Sequence, residues 1–134
     1  MEYRETDHDT FVVRINRGQS MMEQLKIFIE KESVRSAWIS GIGGAAWVEL
    51  GFYNLAEQSY SWERFDSAVE ITSLTGNIAY EDSDELYIHL HGTFADASFH
   101  AIGVHVTDLE VAGTVELLIQ VFDDELPRKL DPSI

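Results

Sequence analysis

After residue 33 the chain offers no second helical stripe, and that constrains its architecture more than any single motif. Before that point, "SMMEQLKIFIEKE" (20–32) places Ser20 and Glu23 in the S-x-x-E relation of a capping box, followed by Leu25, Phe28 and Ile29 with Met21 or Met22 at helical spacing. This is the pattern of one core-packing helix. Everything later reads as strands: "SAWIS", "AWVELGFYN", "AVEITSLTGNIAY", "ELYIHLHGTF", "FHAIGVHV" and "GTVELLIQVF", separated by Gly, Asn, Asp and Ser. With "TFVVRINR" (10–17) ahead of the helix and no further helices to carry parallel crossovers, most strands must pair with antiparallel neighbours. The expected fold is α+β, a mostly antiparallel curved sheet or open barrel with one main helix packed on it.

A chain of 134 residues suits one domain over 1–134, and the Pro-containing "DDELPRKLDPSI" reads as a surface tail from about residue 123. No apolar run approaches the roughly 20 residues a bilayer requires, and the polar N-terminus has no signal core, so a cytoplasmic location with no membrane partner is expected. Without cysteine there is neither a disulfide framework nor a thiolate metal site; any transition metal must be held by histidine, carboxylate and water. The formal charge is −15, from 24 acidic and 9 basic residues. Nucleic-acid affinity depends on cations that neutralise phosphates, so direct DNA binding is not expected.

"SGIGGAA" (40–46) resembles the start of a dinucleotide-binding loop, but such a loop must open a helix, and "AWVELGFYN" follows instead. It reads as a tight strand-to-strand turn whose glycines permit positive φ or close backbone approach.

The chemistry gathers in residues 86–106, which contain His89, His91, His100 and His105. Strand alternation sends Leu86, Ile88 and Leu90 to one face and Tyr87, His89, His91 and Thr93 to the other. Two imidazoles at i, i+2 can converge on one ion. If "GTFADAS" (92–98) turns a hairpin, the next strand lies alongside, and its parity offers either His105 or His100. We select His105, because Gly103 on the same face leaves room for an ion and its ligands. The expected site is a divalent metal, most simply zinc, on His89, His91 and His105 with an open position for water or a small ligand. The competing reading is of ordinary strand histidines, packed or facing solvent. Glu116 in "GTVELLIQVF" could orient a ligand histidine, bind the metal, act as a general base, or simply face solvent with Thr114 and Gln120. His8, flanked by carboxylates near the N-terminus, reads as surface.

Taken in order, "ISGIGGAAWVELGFYN", "VEITSLTGNIA", "LYIHLHGTFAD", "GVHV" and "GTVELLIQVF" resemble the PPC domain, the plants and prokaryotes conserved domain of unknown function, over roughly residues 8 to 122. The resemblance implies a small α+β domain assembling as a homotrimer, with a histidine metal site in prokaryotic members. The family's H-x-H falls on His89 and His91, and its G-G-H on Gly103, Val104 and His105, with Val104 departing from the second glycine. Plant relatives join the domain to AT-hook segments; this chain has no such hook, and that activity is not carried over. The expectation is thus a metal-binding module that holds or senses a small molecule. Its alternatives are a metal-dependent enzyme and a DNA-associated protein acting with a basic partner.

Overall fold

The computed structural model describes residues 1–7, 9–129 and 131, so the reading of His8 lies outside the described residues. Eight strands and one helix follow in the order β1 (Glu2–Glu5), β2 (Thr10–Asn16), α1 (Met21–Glu32), β3 (Ala37–Asn54), β4 (Ser59–Phe65), β5 (Val69–Tyr80), β6 (Leu86–Ala95), β7 (Ala101–Ile102) and β8 (His105–Val121). The strands pair antiparallel, in the order β1-β2-β8-β3-β5-β6-β7, and β4 pairs with β3 over Val48–Asn54, beyond its pairing with β5. The sheet curls until β6 meets β8 again through His91 and His105, closing a ring of strands. The α+β class and the mostly antiparallel curved sheet are as expected.

The helix begins where the capping box places it. The Ser20 hydroxyl accepts from the Glu23 N–H, and Met21, Leu25, Phe28 and Ile29 are fully or almost fully buried. Phe28 meets the rings of Tyr3 and Phe11 edge-on at 5.1 and 5.2 Å, joining α1 to β1 and β2.

Three sequence expectations about strands change. "SAWIS" and "AWVELGFYN" are not two strands around a turn but one 18-residue strand, β3. The glycines between them are interior because β8 presses on them. A Cβ on Gly41 would stand 2.4 Å from Leu117 Cδ2, and one on Gly43, whose φ is 152°, would stand 2.3 Å from the Thr114 carbonyl oxygen. The register shifts here against both β5 and β8, so the strand bends without ending. Second, "FHAIGVHV" breaks at Gly103–Val104 into β7 and the start of β8. Third, β1 and β4 were not expected; "SYSWERF" alternates aromatic and polar residues, but it is exposed nearly throughout and carries no apolar core face to announce a strand.

Candidate metal centre

Along β6, Ile88, Leu90 and Phe94 are buried in the core, which turns His89 and His91 to the opposite face. The register then sets His105, the first residue of β8, directly across from His91. The result is a cluster in which one nitrogen of each imidazole lies within 4.8 Å of the others, with His89 and His105 half-buried and His91 exposed. Ring centroids are 5.0 Å apart for His89 and His91, 5.2 Å for His89 and His105, and 5.6 Å for His91 and His105.

Gly103 contributes in a different way from that expected. A Cβ there would stand 2.2 Å from the Gly92 carbonyl oxygen, so the glycine lets the β7–β8 connection press against β6. His100 lies on the β6–β7 hairpin, its side chain 81% exposed and 3.6 Å from the Asp96 carboxylate. Glu116 is exposed, eleven residues further along β8, opposite Arg14 and Ile42. It lines a separate cleft with Val12, Ser40, Thr72 and Leu118, and is not among the side chains that gather with the histidines.

Two rings of the cluster, His89 and His105, favour the neutral form. Burial, followed by the positive charge of Arg128 and the neighbouring histidines, lowers the His89 pKa to about 4. Burial is also the first cause that lowers His105, with His91 and Arg128 behind it. Both rings are therefore uncharged near neutral pH, and each has one nitrogen lone pair able to bind a metal. The donor set also fits such an ion: Nδ1 of His105 is buried and has no hydrogen-bond partner among the described residues, a costly arrangement for a polar atom unless something else occupies it. Three imidazole nitrogens without thiolate suit a zinc-like ion that keeps one position open.

Two features around the cluster were missed from the sequence. One is an aromatic wall from β4: Tyr60 and Trp62 stack at 4.5 Å, and their ring centroids stand 5.3 and 6.1 Å from that of His105. Trp62 reaches this position because Gly51, its partner on β3, has no side chain; a Cβ there would fall 2.2 Å from the indole ring. The Y-x-W alternation was the available signal. The other is Arg128, from the segment expected to be a surface tail. Its backbone N–H donates to the Tyr80 carbonyl at 2.9 Å, and its guanidinium lies 3.9 Å from the centre of the Tyr87 ring. Nη1 is 3.3 Å from Nδ1 of His89. The tail therefore returns to the site at least as far as Arg128, and no local pattern marks this arginine among the nine basic residues.

The fold and the clustered histidines define a small, mostly antiparallel α+β domain with a place for a metal ion. The model of the Plants and Prokaryotes Conserved (PCC) domain matches residues 3–123, and the chain belongs to this family. Its structure is similar to that of a Bacteroides thetaiotaomicron protein whose name proposes DNA binding, at 26% identity and a TM-score of 0.93, covering 98% of this chain and 91% of that one. A Ralstonia eutropha protein with the same proposal in its name shows 28% identity and a TM-score of 0.90 over 98% and 90% of the two chains. A protein from Archaeoglobus fulgidus, described as metal-containing, shares the fold at 22% identity and a TM-score of 0.85 over 99% and 94%. No curated protein matches the chain.

Proposed function

We propose that the chain is a metal-binding module of the PCC family in which His89, His91 and His105 hold one divalent ion, zinc by preference, and the open coordination position receives a small-molecule ligand. The observation that carries this reading is the convergence of three imidazole nitrogens within 4.8 Å, one ring with a buried nitrogen that no described residue satisfies. The description of the Archaeoglobus fulgidus neighbour as metal-containing agrees with it. A binding or regulatory role is preferred over catalysis because, among the described residues, no carboxylate joins the three-histidine group to move a proton.

The names of two structural neighbours propose DNA binding, but a charge of −15 repels a polyanion. Direct duplex binding is therefore not part of the proposal, and tight binding in low-salt buffer would reverse that. Among the described residues no helix is long and apolar enough to cross a membrane. As part of the same proposal, we take the chain as one domain over 1–134 and place it in the cytoplasm. Self-association as a homotrimer is supported by the exposed Val12, Ile42 and Leu118, which line one cleft on the outside of the sheet.

The test is elemental mass spectrometry on untagged protein, with light scattering on the same preparation. The parent should carry about one ion per chain at about three times the chain mass, and a folded His89→Ala, His91→Ala variant should carry none. A metal-free parent that cannot be loaded would return the histidines to ordinary strand residues, and a monomer would remove the trimer.

A further inference from the structure

Arg128 stands where a metal site would not ordinarily place a cation. A guanidinium has only donors and keeps its proton in proteins, so Nδ1 of His89 can contact Arg128 only by accepting, which leaves the ring proton on Nε2. A neutral imidazole that gives one nitrogen to a metal carries its proton on the other. His89 therefore cannot hold an ion through Nε2 while accepting from Arg128 at Nδ1, and holding it through Nδ1 displaces Arg128 directly. By either nitrogen, metal binding breaks the Arg128–His89 contact.

The displaced guanidinium does not have to leave the site. It stays tethered by the Tyr80 carbonyl through its own backbone and by the face of Tyr87. Two positive centres then lie side by side, one a fork of N–H donors that has lost its His89 acceptor, the other an ion with an open position. An anion completes both. From this geometry we infer that the ligand is a small carboxylate, held between Arg128 and the open coordination position. The inference rests on the metal reading above.

Carboxylate is favoured over phosphate for two reasons. Among the described residues the permanent cation acting on His89 and His105 is Arg128 alone, and one planar guanidinium matches the two oxygens of a carboxylate. A phosphate dianion would also meet more repulsion from a chain of charge −15. Beside His105, the stacked Tyr60 and Trp62 offer an aromatic surface to the carbon body of the ligand.

The experiment loads the full chain with Co²⁺ and follows its visible absorption during titration with acetate, benzoate and inorganic phosphate. The parent should show saturable changes with both carboxylates, benzoate the tighter. Arg128→Gln should hold cobalt at least as well as the parent but bind acetate at least about 10-fold more weakly, the loss expected for one charge-assisted hydrogen-bonded contact. Arg128→Lys, which keeps the charge and loses the fork, should fall between them. Undiminished acetate binding by cobalt-loaded Arg128→Gln would overturn the inference and leave the metal reading intact. So would a parent that holds cobalt and ignores carboxylates, or one that prefers phosphate. Loss of cobalt from Arg128→Gln would also overturn it, since the contact would then support the metal site and not yield to it. A parent that takes up no cobalt would bring down the metal reading and this inference together.

Discussion

Within four positions at the start of β8, the chain treats partly buried polar side chains in two opposite ways. Asp108 is saturated: its carboxylate accepts from the Ser20 hydroxyl at 2.8 Å, from the Met22 N–H at 3.1 Å and from its neighbour Leu109 N–H at 2.8 Å, sitting at the positive N-terminus of α1. His105 and Thr107, just before it, are left with Nδ1 and Oγ1 buried and unpartnered. Each unsatisfied buried group costs about 1 to 3 kcal/mol, so the two halves of this short stretch serve different ends. The helix side stabilises the fold. The histidine side retains unsatisfied donors and acceptors that a ligand can complete, and the stability is supplied elsewhere.

If that division is right, the largest single loss should come from the helix side. Phe28→Ala removes a fully buried ring that packs on Tyr3 and Phe11, and should cost about 3 to 5 kcal/mol. His91→Ala, at an exposed strand position, should leave the metal-free protein within about 0.5 kcal/mol of the parent. Urea denaturation of the two variants beside the parent measures both. Equal losses would erase the distinction between a structural side and a binding side.

A smaller effect comes from pH, again in metal-free protein. The unfolded chain protonates His89 near the ordinary value of about 6.5, whereas the folded chain resists until about pH 4, because burial and then Arg128 disfavour the charged ring. The folded pKa is the lower one, so the unfolded state binds more protons in this window. Stability is therefore full above pH 6.5 and declines as pH falls towards 4. The His105 shift acts in the same direction. Urea midpoints measured across this range should fall on acidification, and His89→Gln should flatten the curve. A parent whose midpoint does not change between pH 6.5 and 4 would mean that the cluster is more open to water than its burial implies.

The difference between the two sides also sets what is legible in the sequence. Period is legible, so α1 and the buried face of β6 followed directly from the spacing of Leu25, Phe28 and Ile29 and of Ile88 and Leu90. Alternation also set His89 and His91 on one face. Choosing His105 needed a hairpin and a strand parity, and the residue proved to lie across from His91 even though the strand breaks at Gly103–Val104 and the glycine serves a different purpose. Long-range contacts leave no such periodic trace. The glycines of β3 looked like a turn because a close approach by β8, seventy residues later, is invisible locally. Arg128 was hidden for the same reason: its partners Tyr80, Tyr87 and His89 lie on β5 and β6, and nothing in "LPRKL" announces them.

The smallest expected effects draw the boundary of the site. Glu116 has the chemistry of a general base and His100 that of a ligand, yet the structure gives each an exposed position apart from the cluster, Glu116 opposite Arg14 and Ile42 and His100 beside Asp96. Glu116→Gln and His100→Ala should both retain about one metal per chain and shift stability by no more than about 0.5 kcal/mol, as solvent-facing substitutions commonly do. Metal content and a urea midpoint for each variant decide this. Loss of metal from His100→Ala would require the β6–β7 hairpin to fold inward on binding. Loss from Glu116→Gln would require a second chain to deliver its carboxylate, because β8 holds that residue in register with β2 and β3, eleven positions from His105. Either result would extend the binding side past the three histidines and make assembly or loop movement part of the site.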